Sequence, residues 1–124
     1  MSIWTHVCGC IRIDGLPEIN PEEQIKSIFG NTVLFNDTRE KRKECNVPCG
    51  SEGSIQYKIL TAGTGLVLYT IPIWGDLRDY EDMEEIERWF NKIVYNNNLI
   101  IRLGVLEIEV EGRKAKILSY KSPI

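Results

Sequence analysis

The chain reads as one α+β domain: a single antiparallel sheet with two helices on one face. Three observations predict it. The N-terminal segment alternates apolar and polar with a period of two, which is a strand carrying different chemistry on its two faces. Residues 80–95 instead repeat apolar side chains at spacings of three and four, which is an amphipathic helix. The order of such segments is strand, helix, two strands, helix, two strands, the split βαβ order of ferredoxin-like folds plus an extra C-terminal strand. With 124 residues, 43% of them hydrophobic, residues 1–124 form a single domain with one core.

The elements follow in order. In Ser2 to Ile13, the side chains Ile3, Thr5, Val7, Ile11 and Ile13 share one face. Trp4, His6, Cys8, Cys10 and Arg12 share the other, and Asp14-Gly15 ends the strand. Asn20 caps a short helix, Pro21 suits its first position and Glu23 completes a capping box. Ile25, Ile28 and Phe29 form its stripe, and Gly30 closes it. Thr32 to Phe35 reads as a short strand, Asp37 to Glu44 as solid charge, and Cys45 to Gly53 as loop. Ser54–Leu60 and Leu66–Trp74 pair as a hairpin around the glycines of Thr61–Gly65. Pro72 lacks a backbone donor, which places it at an edge, a bulge or a terminus. A tight turn follows Trp74, and the helix from Tyr80 to Tyr95 buries Met83, Ile86, Phe90, Ile93 and Val94. Its acidic first half suits the helix dipole, and Asn96-Asn97-Asn98 stops it. Leu99–Val110 and Arg113–Tyr120 form the last hairpin, with Gly104 a bulge or bend.

Composition excludes several functions. The net charge of -3 supplies no basic face for duplex nucleic acid. No apolar stretch is long enough to cross a bilayer, and Met1 to His6 lacks the charged start and apolar run of a signal peptide. A cytoplasmic protein with its four cysteines reduced is expected. Cys8, Cys10, Cys45 and Cys49, with His6, have the chemistry of zinc ligands, but their spacings match no zinc pattern, so no metal and no cofactor are assigned. One histidine, no nucleophile elbow and a solvated acidic run give no catalytic residue.

What remains is a binding kit. Trp74, Arg78 and Tyr80 gather an indole, a guanidinium and a phenol around the expected turn. Arg102 lies among Ile100, Ile101 and Leu103, where a charge needs either a carboxylate partner or a ligand. Asn97, Ser51 and Arg113 add hydrogen-bonding groups. These seven residues are the assigned ligand-binding set. A sheet left bare on its second face calls for a homo-oligomer.

The runs Ile3 to Val7, Ile11 to Asp14, Gly50 to Ser54 and Trp74 to Asp79 resemble short proteins encoded by phages of Gram-positive bacteria, above all the Thoeris anti-defence 1 family. The resemblance covers nearly the whole chain. It implies a counter-defence sponge in the cytoplasm of the infected bacterial host. Such a protein binds cyclic ADP-ribose isomers, and also cyclic oligonucleotides, without cleaving them, and assembles into oligomers. The site residues above rest on their own chemistry and not on the resemblance. Three other readings stay open: an inhibitor that blocks a host protein through the acidic run Asp79 to Glu87, a hydrolase of the same signals using His6 or a carboxylate, and a structural phage protein with a zinc clip.

Overall fold

The computed structural model describes residues 2–14, 21–61 and 68–123. The expected turn at Gly15, the cap at Asn20, and the hairpin turn with the strand start at Leu66 lie outside them. Among the described residues six strands and three helices follow in the order β1 (Trp4–Asp14), α1 (Pro21–Phe29), α2 (Arg39–Lys43), β2 (Gln56–Tyr57), β3 (Leu60–Thr61), β4 (Leu68–Arg78), α3 (Met83–Val94), β5 (Ile101–Val110) and β6 (Lys116–Lys121). The sheet is antiparallel with the order β2-β4-β1-β5-β6, and β3 also pairs with β4. Among the described residues no helix is long and apolar enough to cross a membrane.

β1 is the strand on which the sheet is built. It pairs with β4 from Trp4↔Arg78 to Asp14↔Leu68, and with β5 from Thr5↔Val110 to Ile13↔Ile101. Alternation then sorts the chemistry. Val7, Ile11 and Ile13 face inward with Ile71, Ile73 and Leu77 of β4 and Leu106 and Ile108 of β5. The helices complete this core with Ile25 and Phe29 from α1, and with Ile86, Trp89, Phe90 and Ile93 from α3. The indole N–H of Trp89 donates to the Phe29 carbonyl at 2.8 Å, so a carbonyl left over at the end of α1 is satisfied by α3. Trp89 thus joins the buried stripe of α3, beside the apolar positions that the spacing marks.

Four expectations need correction. β4 does not end at Trp74: it runs to Arg78, because Gly75 to Arg78 pair residue by residue with Val7 to Trp4. The glycine and aspartate that resemble a turn are held straight by tertiary pairing. Thr32 to Phe35 is not a strand. Val33 is buried there and exchanges hydrogen bonds with the Ser54 hydroxyl instead of a strand partner. The charged segment contains a short helix, α2, capped by Thr38, with no buried residue. The strand expected over Ser54–Leu60 is divided into β2 and β3, which meet β4 at Trp74–Ile73 and Thr70–Tyr69. Pro72 stands between the two contacts and has no donor to offer the edge, while the Lys58 N–H still donates to its carbonyl at 3.3 Å. Smaller shifts occur at the ends: α3 starts at Met83 on an Asp82 cap, β5 at Ile101 and β6 at Lys116.

Two glycines let the layers meet. A Cβ on Gly9 would lie 2.1 Å from the Val105 carbonyl oxygen and 2.8 Å from Leu106 Cα, both backbone atoms of β5. A Cβ on Gly104 would lie 3.1 Å from Phe90 and Val94 side-chain atoms, so this small residue admits α3 onto the sheet. The irregularity expected at Gly104 falls slightly earlier, where the β1–β5 register shifts between Arg12 and Ile13. Gly104→Ala is expected to cost about 1–3 kcal/mol as an overpacking change. Gly9→Ala should cost more, since backbone cannot yield as side chains can. Urea unfolding of the two variants checks the order.

Candidate functional site

A candidate ligand site is built where β1 begins and β4 ends, on the sheet face away from the helices. Trp4 and His6 lie two residues apart on β1 and so share that face. His6 is directly opposite Asp76 of β4, and its Nδ1 lies 2.6 Å from the Asp76 carboxylate. A carboxylate only accepts, so Nδ1 carries the proton and donates, which leaves Nε2 for another partner. The Trp4 ring is parallel to His6 within 1°, with centroids 6.5 Å apart. Phe35 stacks on Trp4 at 6.0 Å and 9°. Glu111 closes the end, its Oε1 accepting from the Trp4 backbone N–H at 2.9 Å. Trp4, His6, Phe35, Asp76 and Glu111 line a cleft of about 470 Å³.

Phe35 reaches this place because residues 31–37 are tied down locally. The Leu34 N–H donates to the Asp37 carboxylate, and Val33 is fixed to Ser54. On the other side of this segment, Leu34 lines a cleft of about 480 Å³ with Lys26, Lys41, Asp37 and Glu44. That cleft mixes both signs of charge, and its ring, Tyr57, uses its hydroxyl on the Gly30 carbonyl at 2.7 Å. The Trp4 cleft combines parallel aromatic faces with hydrogen-bond acceptors, and this is the arrangement that holds a flat ring bearing N–H or O–H groups.

The seven residues assigned from sequence are dispersed. Trp74 is on the open face of β4, 45% exposed and opposite Cys8 and Gln56. Arg78 is directly opposite Trp4; its Nη1 pairs with Glu52 at 2.6 Å and its Nε donates to Ser2 at 3.1 Å. Ser51 is beside it, its N–H donating to the Arg78 carbonyl and its hydroxyl to Asp79 at 2.9 Å. Arg78 and Ser51 therefore lie together at one end of the sheet, while Trp74 lies four residues away along β4. Tyr80 is buried among core residues, with its hydroxyl donating to Glu85. Arg102 pairs with Asp14 at 3.1 Å at the opposite end of β1. Arg113 pairs with Glu81 at 2.6 Å, and Asn97 is exposed in the turn after α3.

Sequence reasoning missed Trp4, Phe35 and Glu111 as site residues and weighed His6 only as a metal ligand or a catalytic group. The alternation of β1 already placed Trp4 beside His6. Nothing local announces Phe35, whose position depends on contacts with Ser54 and Asp37. The acidic run is partly neutralised: Glu87 of α3 pairs with Lys116 of β6 at 2.6 Å, and Glu81, before the helix, pairs with Arg113 in the turn between β5 and β6. Among the described residues no group of three or more His, Cys, Asp and Glu side chains could hold a metal ion.

No protein-family model matches the chain, and neither does any curated protein or solved structure.

Burial, and then the hydrogen bond to Glu85, push the Tyr80 phenol well above its usual range. Burial raises Tyr57 as well, and it carries Cys49 up to about 11 with the help of nearby Cys45. For each group the folded state favours the neutral form. The stability this contributes is complete below the unfolded pKa and is lost as pH rises through the folded value. The domain should therefore weaken progressively above about pH 9, where an unfolded thiol begins to ionise. Tyr80→Phe should cost about 1 kcal/mol at neutral pH and make that alkaline decline shallower. Urea unfolding from pH 7 to pH 11 measures both.

Proposed function

We propose that the protein is a non-catalytic binding protein that captures a cyclic nucleotide signal and holds it intact. In keeping with the resemblance to Thoeris anti-defence 1 proteins, the ligand is a cyclic ADP-ribose isomer or a cyclic oligonucleotide, and the setting is the cytoplasm of a phage-infected bacterium. The observation that carries this reading is the cleft lined by the parallel rings of Phe35, Trp4 and His6 together with Asp76 and Glu111. An adenine ring matches those faces, and base–aromatic stacking is worth about 1–3 kcal/mol per base. Asp76 and Glu111 are acceptors for ribose hydroxyls and an exocyclic amine. They repel phosphate, so the phosphates point toward Arg78 and Ser51 across the strand pair. Trp74, two residues before Asp76 on the same strand face, extends the aromatic surface. Arg102, Arg113, Asn97 and Tyr80 lie outside the site in this reading.

The strand order supports a ferredoxin-like split βαβ reading of the fold extended by β6. β1 lies between β4 and β5, and α1 and α3 each follow a strand and return the chain to the sheet. The open sheet face supports a homo-oligomer. The two ion pairs on the acidic helix leave less charge for a protein-blocking role.

The test is calorimetric titration with cyclic ADP-ribose isomers and cyclic di- and trinucleotides, followed by mass analysis of the recovered ligand. Trp4→Ala and Phe35→Ala are each expected to weaken binding by roughly 5- to 150-fold, the equivalent of one lost stack. Both variants should keep cooperative unfolding. Recovery of unchanged ligand is the expected result. Cleaved product would replace the sponge with a hydrolase built on the His6–Asp76 pair, and full binding by both variants would remove the cleft from the site.

A further inference from the structure

The hydrogen-bonding atoms of the Trp4 cleft are nearly all acceptors. Among the described residues Asp76 has one side-chain partner, the His6 Nδ1–H at 2.6 Å, and its side chain is 69% exposed. One carboxylate oxygen is therefore open, and the engaged one keeps a further lone pair. Glu111 accepts from the Trp4 backbone N–H through Oε1, which leaves its second oxygen. With its proton on Nδ1, His6 presents Nε2 as another acceptor. Of the five lining side chains, the one donor not already engaged is the Trp4 indole N–H.

Charge and shape limit what can enter. Two carboxylates repel a phosphate, so the part of a nucleotide that enters is its base, and parallel rings suit a flat one. Stacking does not choose among bases, because every base has a π-face. The choice falls to the base edge. Guanine carries two adjacent donors, N1–H and the 2-amino group, which fork onto a single carboxylate. Adenine sets one amine beside a ring nitrogen, and that acceptor would face carboxylate lone pairs. Cytosine has the same fault, and uracil has one N–H between two carbonyls.

We propose, resting on the reading of this cleft as a nucleotide site, that it selects guanine through the Asp76 carboxylate, so that the signal held is a guanine-bearing cyclic oligonucleotide and not a cyclic ADP-ribose isomer. His6 is a positioning residue. It is directly opposite Asp76 in the β1–β4 register, and its Nδ1–H holds the carboxylate that the base edge meets. Arg78 follows Asp76 by two residues on β4, directly opposite Trp4, and so meets the phosphates outside the acidic cleft.

Calorimetric titration of the full chain with cyclic di-GMP, cyclic di-AMP, cyclic di-IMP and a cyclic ADP-ribose isomer tests the proposal. Cyclic di-GMP should bind roughly 5- to 150-fold tighter than cyclic di-AMP, the worth of one bidentate pair. Hypoxanthine keeps N1–H and lacks the 2-amino group, so cyclic di-IMP should fall between them. Asp76→Asn exchanges one acceptor for a donor, and an amide forks onto the amine and neighbouring ring nitrogen of adenine. This variant should prefer cyclic di-AMP and unfold at the wild-type temperature, a reversal that a merely structural role for Asp76 would not produce. Equal affinity for the two dinucleotides overturns the guanine assignment and leaves the nucleotide site standing. So does tighter binding of the cyclic ADP-ribose isomer, or an Asp76→Asn variant that keeps the wild-type preference. Binding of none of the four removes the nucleotide site itself, and the guanine assignment with it.

Discussion

The register of β1 is the constraint on which the rest depends. This strand is paired along its length on both sides, so its alternation decides what the whole sheet shows to the helices and what it shows to solvent. A slip by one residue would carry Val7, Ile11 and Ile13 into water and Trp4, His6 and Arg12 into the core. Several contacts prevent it. Gly9 fits against the β5 backbone where no Cβ could, the Thr5 hydroxyl donates to the Tyr80 carbonyl, and the Trp4 N–H is held by Glu111. The same register that buries the isoleucines brings His6 opposite Asp76. Core and site are therefore set by one decision.

Much of this architecture is legible in the sequence, where structure is carried by local pattern. β1 is visible in its alternation, and α3 in its apolar spacing and acidic start. What escapes is whatever depends on a distant partner. Gly75-Asp76 has turn chemistry, yet β1 supplies it with strand pairing. Phe35 lies in a segment with no periodicity and becomes a site residue through Ser54 and Asp37. The arginines Arg78, Arg102 and Arg113 could be singled out as charges requiring an explanation. Their carboxylates, Glu52, Asp14 and Glu81, are far away in the chain and could not be chosen among many acids.

Those ion pairs bear on how a phosphate would be held. The Arg78 and Glu52 side chains are 41% and 25% exposed, and partly exposed pairs of this kind contribute about 0–1 kcal/mol. A phosphate offers a guanidinium a stronger, forked contact. Exchanging Glu52 for another oxygen would thus cost the fold little, and the contacts to Glu52 and Ser2 already orient the guanidinium. The gain is in preorganisation, since less side-chain freedom is lost when the ligand arrives.

Among the described residues α1 and α3 pack on one face of the sheet, and the core cluster lies on that side. The other face is open among the described residues, and the strand register orders its chemistry in bands. Rings and acceptors gather at the Trp4 end, bases at the Arg12 end, and exposed aliphatic side chains between them. Covering both faces of a sheet takes a helical layer on each, and the described residues place α1 and α3 on one side. The register that buries one set of side chains of β1 thereby displays the other, so the exposed bands are as fixed as the core.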